Sequence, residues 1–180
     1  LALVSSIIAT VLGTLATLGI NSMSRKSQLI INNISYVPVV NPEIITGVSL
    51  MLLFVFVKNA GVQLEFGFVT LVLAHITFNI PYVILNVMPK LRQMDVSVYE
   101  AAQDLGCSPM QAFFKVVIPE IMPGILAGFL MAVTYSLDDF IISYFVTGPT
   151  SQTLPITIFS MTRRKVSPEI NALSTIIFVV

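Results

Sequence analysis

Two long runs without a single Asp, Glu, Lys or Arg, residues 1–24 and 66–89, set the terms on which this chain can fold. Each exceeds the roughly 20 residues that a helix needs to cross the hydrocarbon core of a bilayer. Inside lipid every backbone N–H and C=O must find its partner within the protein, which leaves helices and closed barrels as the spanning structures. Barrel strands alternate apolar and polar residues with period two, and these runs do not alternate. The chain therefore reads as an all-α, multi-spanning membrane protein. Composition agrees, with 56% of the 180 residues hydrophobic and 10% charged, against roughly 25% charged in a soluble domain.

Nine basic and nine acidic residues cancel, so there is no basic footprint for nucleic acid. One cysteine, Cys107, excludes an internal disulfide, and with the single histidine, His75, it cannot close a zinc site. No metal site is expected. The first run lacks both a basic leading region and a small-residue cleavage site, so it is a span rather than a signal peptide. Leu1 is not a start methionine and the last apolar run stops in mid-helix, so both ends are expected to be cut from a longer chain.

Hydropathy and charge punctuation place spans near residues 1–21, 34–57, 66–88, 123–146 and 170–180, separated by a more polar loop at 89–122. Pro38, Asn41 and Pro42 interrupt the second of these. Asn41-Pro42-Glu43 has the grammar of an N-cap, a proline at the first helical position and an acid in the first turn. Irregular backbone is expected over residues 38–41, with a regular helix over 42–57. Pro81 is expected to kink the third span.

The loop carries the densest pattern, MDVSVYEAAQDLGCSPMQAFFKVVIPEIMP over residues 94–123. Ser97 followed three residues later by Glu100 predicts a capping box and a helix over 98–105. Gly106 is suited to end that helix in the left-handed conformation. Ser108 and Pro109 predict the N-cap and first position of a second helix, running to Val117 and stopping before Pro119. Two short helices joined by a tight turn, too polar to cross the bilayer, make a docking surface.

Glu100-Ala101-Ala102, with Gly106 four residues on and Ile118-Pro119 twelve beyond that, resembles the coupling-helix signature of ABC importer permeases. The segments Asn41-Pro42-Glu43-Ile44-Ile45-Thr46-Gly47, Ser136-Leu137-Asp138-Asp139-Phe140 and Ile158-Phe159-Ser160-Met161 with Arg163-Arg164 are similar to permeases of spermidine/putrescine importers, of the type called the C subunit. The resemblance covers nearly the whole chain. It implies a type I ABC importer transmembrane fold as a single permease domain, with about five of six spans present, in a bacterial inner membrane. It puts the 89–122 loop in the cytoplasm and gives Glu100, Ala101, Ala102, Gly106 and Pro119 a role in coupling to an ATPase. The implied partners are a second permease subunit, an ATPase dimer, an external polyamine-binding protein and membrane lipid. Polyamine import is the implied function, alongside import of another small solute such as a metal chelate or thiamine. A secondary transporter, or a membrane enzyme, for which no clustered catalytic set is found, would be the reading outside the class.

This chain is not expected to be an enzyme or to hold a cofactor. It contains no G-x-x-x-x-G-K-[ST] phosphate loop, so ATP and magnesium would be used by the partner ATPase. Acids within spans are costly and mark function by default. Asp139 is predicted to share a helix face with Tyr135 and Ser143, four residues to either side, a stripe suited to an ammonium group. Asp138 points about 100° away on the same helix. Glu43 completes the candidate substrate path, although the helix dipole alone would favour an acid there.

Overall fold

The computed structural model describes residues 1–149, 151–162, 172, 175 and 176. Among these the regular structure is helical, with an isolated bridge between Gly148 and Ser151. The elements are α1 (Ala2–Asn21), α2 (Arg25–Val40), α3 (Glu43–Asn59), α4 (Phe68–Gln93), α5 (Val96–Asp104), α6 (Pro109–Ala112), a π-helical turn (Phe113–Val117), α7 (Ile118–Asp138), α8 (Ile141–Val146) and α9 (Leu154–Thr162). Three stretches are long and apolar enough to span: Ala2–Asn21, Phe68–Gln93 and Pro109–Asp138. The expected span at 170–180 and the cluster Arg163, Arg164 and Lys165 lie outside the described residues, three scattered positions apart.

Three local expectations are corrected. Helix α2 runs through Pro38 to Val40, so the break is confined to Asn41 and Pro42. Pro38 is carried within the helix at the loss of one backbone bond, and Asn41 takes the extended conformation that a following proline favours, φ −68°, ψ 140°. No helix stops before Pro119. The N–H of Ile118 bonds to Phe113 O, five residues back, and after this change of register Pro119 falls in the first turn of α7, where a missing N–H is tolerated. Finally, 123–146 is not one helix, because α7 ends at Asp138 and α8 starts at Ile141.

The chain forms two compact units, one of Leu1–Pro42 with His75–Ser136, the other of Glu43–Ala74 with the residues from Leu137 onward. Small residues build the first. On α7 Gly124, Gly128, Ala132 and Ser136 recur every four residues and are all buried, the spacing that lets membrane helices approach closely. Val83 of α4 is fully buried against this stripe and against α1. A Cβ on Gly13 of α1 would lie 2.7 Å from Val83 Cβ, and one on Gly128 would lie 3.2 Å from Val83 Cα. Gly124 is as tight, with Asn86 O 2.8 Å from where a Cβ would lie. Val83, Val87, Leu91, Val117, Ile121 and Ala132 continue this contact as one apolar cluster.

Several polar side chains in this core are hydrogen-bonded, within a helix or between helices. Thr10 and Thr17 donate to the carbonyls of Ser6 and Gly13 at 2.7 and 2.8 Å, the back-bonding available to hydroxyls on a helix. Asn79 Nδ2 donates to Ser136 Oγ at 2.7 Å, and Ser5 Oγ stands 3.5 Å from the same hydroxyl. That set ties α1, α4 and α7 together.

In the second unit Gly47 of α3 faces α8, where an added Cβ would meet the Phe145 ring at 2.9 Å. Thr70 of α4 donates to Val146 O at 2.8 Å. Large apolar side chains such as Leu3, Leu15, Phe56 and Leu130 are exposed, as lipid permits.

The contact over Val83 predicts a compensating pair. Gly13→Ala is expected to destabilise the protein by about 1–3 kcal/mol through overpacking, and adding Val83→Ala should recover part of that loss. Thermal unfolding of the single and double variants in detergent checks it; simple additivity would contradict the contact.

Candidate functional site

The loop between α4 and α7 is built by three capping devices. Asp95 Oδ1 accepts the N–H of Ser97 at 2.9 Å, so Asp95, not Ser97, is the N-cap and α5 begins at Val96. The predicted Ser97–Glu100 capping box is thereby corrected. An aspartate cap adds a charge favourable to the helix N-terminus, and Ser97 moves inside. Hydrogen bonds from the Ser97 backbone and then its side chain hold the Asp95 carboxyl below its ordinary value of 3.8. The folded-state value is depressed, so this stabilisation is present above pH 3.8 and is lost as pH falls through the lowered value.

Gly106 closes α5 with φ +90°. Nothing lies within 4 Å of the position its Cβ would take, so backbone conformation rather than packing calls for glycine. Its N–H bonds to Gln103 O and that of Cys107 to Ala102 O. The second helix has the capping box that the first lacks: Ser108 Oγ accepts from Gln111 N and Gln111 Oε1 accepts from Ser108 N. The π turn then leads directly into α7.

Tyr99 and Phe113 pack on the Val83–Val87–Leu91 cluster and anchor the loop to the bundle. Other apolar side chains of the loop are open. Leu105 is 87% exposed, Met110 67% and Phe114 60%, with Val98, Glu100 and Ala101 also exposed. Ala102 is half-buried, and Pro119 is exposed at the start of α7. Such a patch on a short polar-rimmed element marks an interaction site.

The five expected path residues are distributed over both units. Asp139 is buried, at 8% exposure, in the break between α7 and α8. Its carboxylate accepts the N–H groups of Ile142 at 3.2 Å and Ser143 at 2.7 Å, capping α8. The expected continuous stripe of Tyr135, Asp139 and Ser143 is therefore interrupted: Tyr135 is on α7 and Ser143 on α8, with the break between them. Asp138 is exposed and lines a cleft of about 390 Å³ with Phe140, Pro155 and Phe159. The Phe140 and Phe159 rings lie 4.6 Å apart. Glu43 opens α3 and is exposed.

Tyr135 belongs to the first unit, where its ring is 4.5 Å from that of Tyr82 and 6.0 Å from that of Phe78. Sequence reasoning missed this cluster. The i, i+4 aromatic pair Phe78 and Tyr82 on α4 was the available signal, but nothing in the sequence paired it with α7. Among the described residues no group of three or more His, Cys, Asp or Glu is placed to hold a metal.

A bundle of apolar helices interrupted by an exposed helix–turn–helix loop is the build of a transport permease. The chain belongs to the family of binding-protein-dependent transport system inner membrane components, whose pattern matches residues 9–180. It is accordingly a multi-pass inner-membrane protein of a transport family rather than of an enzyme family. It is 49% identical over 141 residues to the putrescine transport system permease protein PotI of Escherichia coli K12, covering 78% of this chain and 50% of that protein. It is 37% identical over 179 residues to the spermidine/putrescine transport system permease protein PotC of the same organism, covering 99% of this chain and 66% of that protein. The Haemophilus influenzae protein of that description is 35% identical over 179 residues, covering 99% of this chain and 68% of that protein. The chain thus spans about half to two thirds of the length of these curated relatives.

The two neighbouring acids should behave differently. Asp139→Ala leaves two buried amides without their acceptor and is expected to cost about 1–3 kcal/mol. Asp138→Ala removes an acid from a helix C-terminus, where the dipole disfavours it, and should leave stability unchanged or slightly higher. Thermal unfolding of both variants in detergent reads the difference directly.

Proposed function

We propose that this chain is the permease subunit of an ATP-driven polyamine importer, and that the 96–117 loop is where it engages the ATPase. The observation that carries the reading is the open apolar surface of Val98, Leu105, Met110 and Phe114 on an element anchored from behind by Tyr99 and Phe113. A second permease subunit, an ATPase dimer and an external polyamine-binding protein complete the transporter. ATP and magnesium act in the ATPase, and this chain hydrolyses nothing. The naming of the relatives for putrescine and spermidine transport supports the substrate class.

Closure of the ATPase dimer would move the loop, and α4 and α7 flank that loop in sequence. Glu100, Ala101 and Ala102 present the docking face, Gly106 sets the angle between the short helices, and Pro119 begins the helix that receives the motion. A displacement of this kind biases a two-state bundle from one end.

For the substrate, an ammonium group calls for an acid beside aromatic faces. Asp138, exposed beside Phe140 and Phe159, meets that description. Its place at the C-terminal end of α7 is electrostatically unfavourable for the helix, so helix stability gives no reason for an acid there. Asp139 acts by fixing α8 through Ile142 and Ser143. The aromatic cluster of Phe78, Tyr82 and Tyr135 offers a second cation-binding surface. Glu43, exposed at the head of α3, adds a further negative charge.

Uptake by proteoliposomes holding the full complex tests the reading. Uptake of putrescine or spermidine should require the ATPase and ATP; uptake by the permeases alone would overturn it in favour of a secondary transporter. Glu100→Lys and Leu105→Asp should abolish stimulated ATP hydrolysis while membrane insertion stays normal. Asp138→Asn should reduce polyamine uptake about fivefold, the equivalent of the ~1 kcal/mol expected of a partly wet ion pair.

A further inference from the structure

The geometry points to a binding site for an anionic phospholipid in the cleft between α2 and the C-terminal half of α4. This cleft encloses about 430 Å³, within the roughly 300–1,000 Å³ range of sites that bury small ligands. It lies within the first unit and is separate from the loop surface and from the acids described above.

Its lining follows helical spacing on both sides. On α4, Leu85, Pro89 and Arg92 succeed one another at intervals of four and three, so one face passes from hydrocarbon to a guanidinium over about 10 Å. On α2, Leu29, Asn32 and Tyr36 recur at three and four residues, placing uncharged hydrogen-bonding groups on the facing wall. An acyl chain along Leu29 and Leu85, a phosphate at Arg92 and ester oxygens toward Asn32 and Tyr36 use every part of that lining. A soluble anion would leave the apolar wall unused, and a zwitterionic lipid would bring its own cation to Arg92.

Charge selects the occupant. Helices α1, α2 and α4 contain Arg25, Lys26, Lys90 and Arg92 and not one acid. Arg92 and Lys90 are exposed, and among the described residues no carboxylate pairs with them. The nearest acid in sequence, Asp95, already accepts from Ser97 at the head of α5. A cleft beside a spanning helix, with an arginine near that helix's end, resembles the basic pockets in which phosphate-bearing lipid head groups are held. Arg also offers a fork of donors that matches phosphate.

The test uses the assembled transporter in phosphatidylcholine nanodiscs doped with tail-photoactivatable phosphatidylglycerol or, separately, tail-photoactivatable phosphatidylcholine. The phosphatidylglycerol probe should label residues 84–92 several-fold more than the phosphatidylcholine probe. Unlabelled phosphatidylglycerol should compete, whereas inorganic phosphate should not. Arg92→Gln should reduce labelling about fivefold, the effect of one basic group at an anionic surface. Arg92→Lys should retain most of it, and Lys58→Gln in the other unit should change nothing. Equal labelling by the two probes, or labelling unchanged in a normally assembled Arg92→Gln complex, overturns the site. Competition by inorganic phosphate would make it a soluble-anion site instead. Absence of lipid labelling together with a cross-link from Leu85→Cys to another protein segment would show that protein fills the cleft.

Discussion

The approach of α4 to α7 and α1 over Val83 is the contact on which the first unit depends. Glycine at 13, 124 and 128 removes the side chains that would hold the three helices apart, and dispersion between close-packed surfaces replaces the hydrophobic drive that lipid cannot supply. Distance is the controlling quantity. A single methyl on Gly13 or Gly124 would intrude to less than 3.0 Å on its neighbour. The polar contacts of Ser5, Asn79 and Ser136 lie in the same bundle.

That contact also governs the loop. The loop hangs between the end of α4 and the start of α7, and Gly124 meets Asn86 and Lys90 close to its root. Tyr99 and Phe113 rest on the apolar cluster that continues from Val83. A force applied to Leu105 or Phe114 would therefore act on a stiff pair of helices rather than on a slack connection. The π turn at Phe113–Val117 lets the second short helix run into α7 without a hinge of irregular backbone.

The helix breaks follow a separate rule. Both occur where a side chain or proline redefines the chain's hydrogen bonding: at Asn41-Pro42, and at Asp139, whose carboxylate serves the first amides of α8. Asp138, like Asp104 at the end of α5, is exposed at the wrong pole of its helix, and the cleft it shares with Phe140 and Phe159 is what sets it apart.

Much of this was legible in the sequence. Charge-free runs longer than a bilayer's core determine helical spans, because lipid permits no unsatisfied backbone, and Gly106, Ser108 and Pro109 determine the turn and second start of the loop through backbone preferences that need no partner. Local rules could not choose between two nearby caps, so Asp95 displaced Ser97, and could not say that α7 would end before Asp139. Only the tertiary structure joined Tyr135 to Phe78 and Tyr82, or Arg92 to Asn32 and Tyr36 across a cleft. Those pairings depend on which helix faces meet and how closely, and that is decided by the packing of small residues between helices, which no single helix's sequence contains.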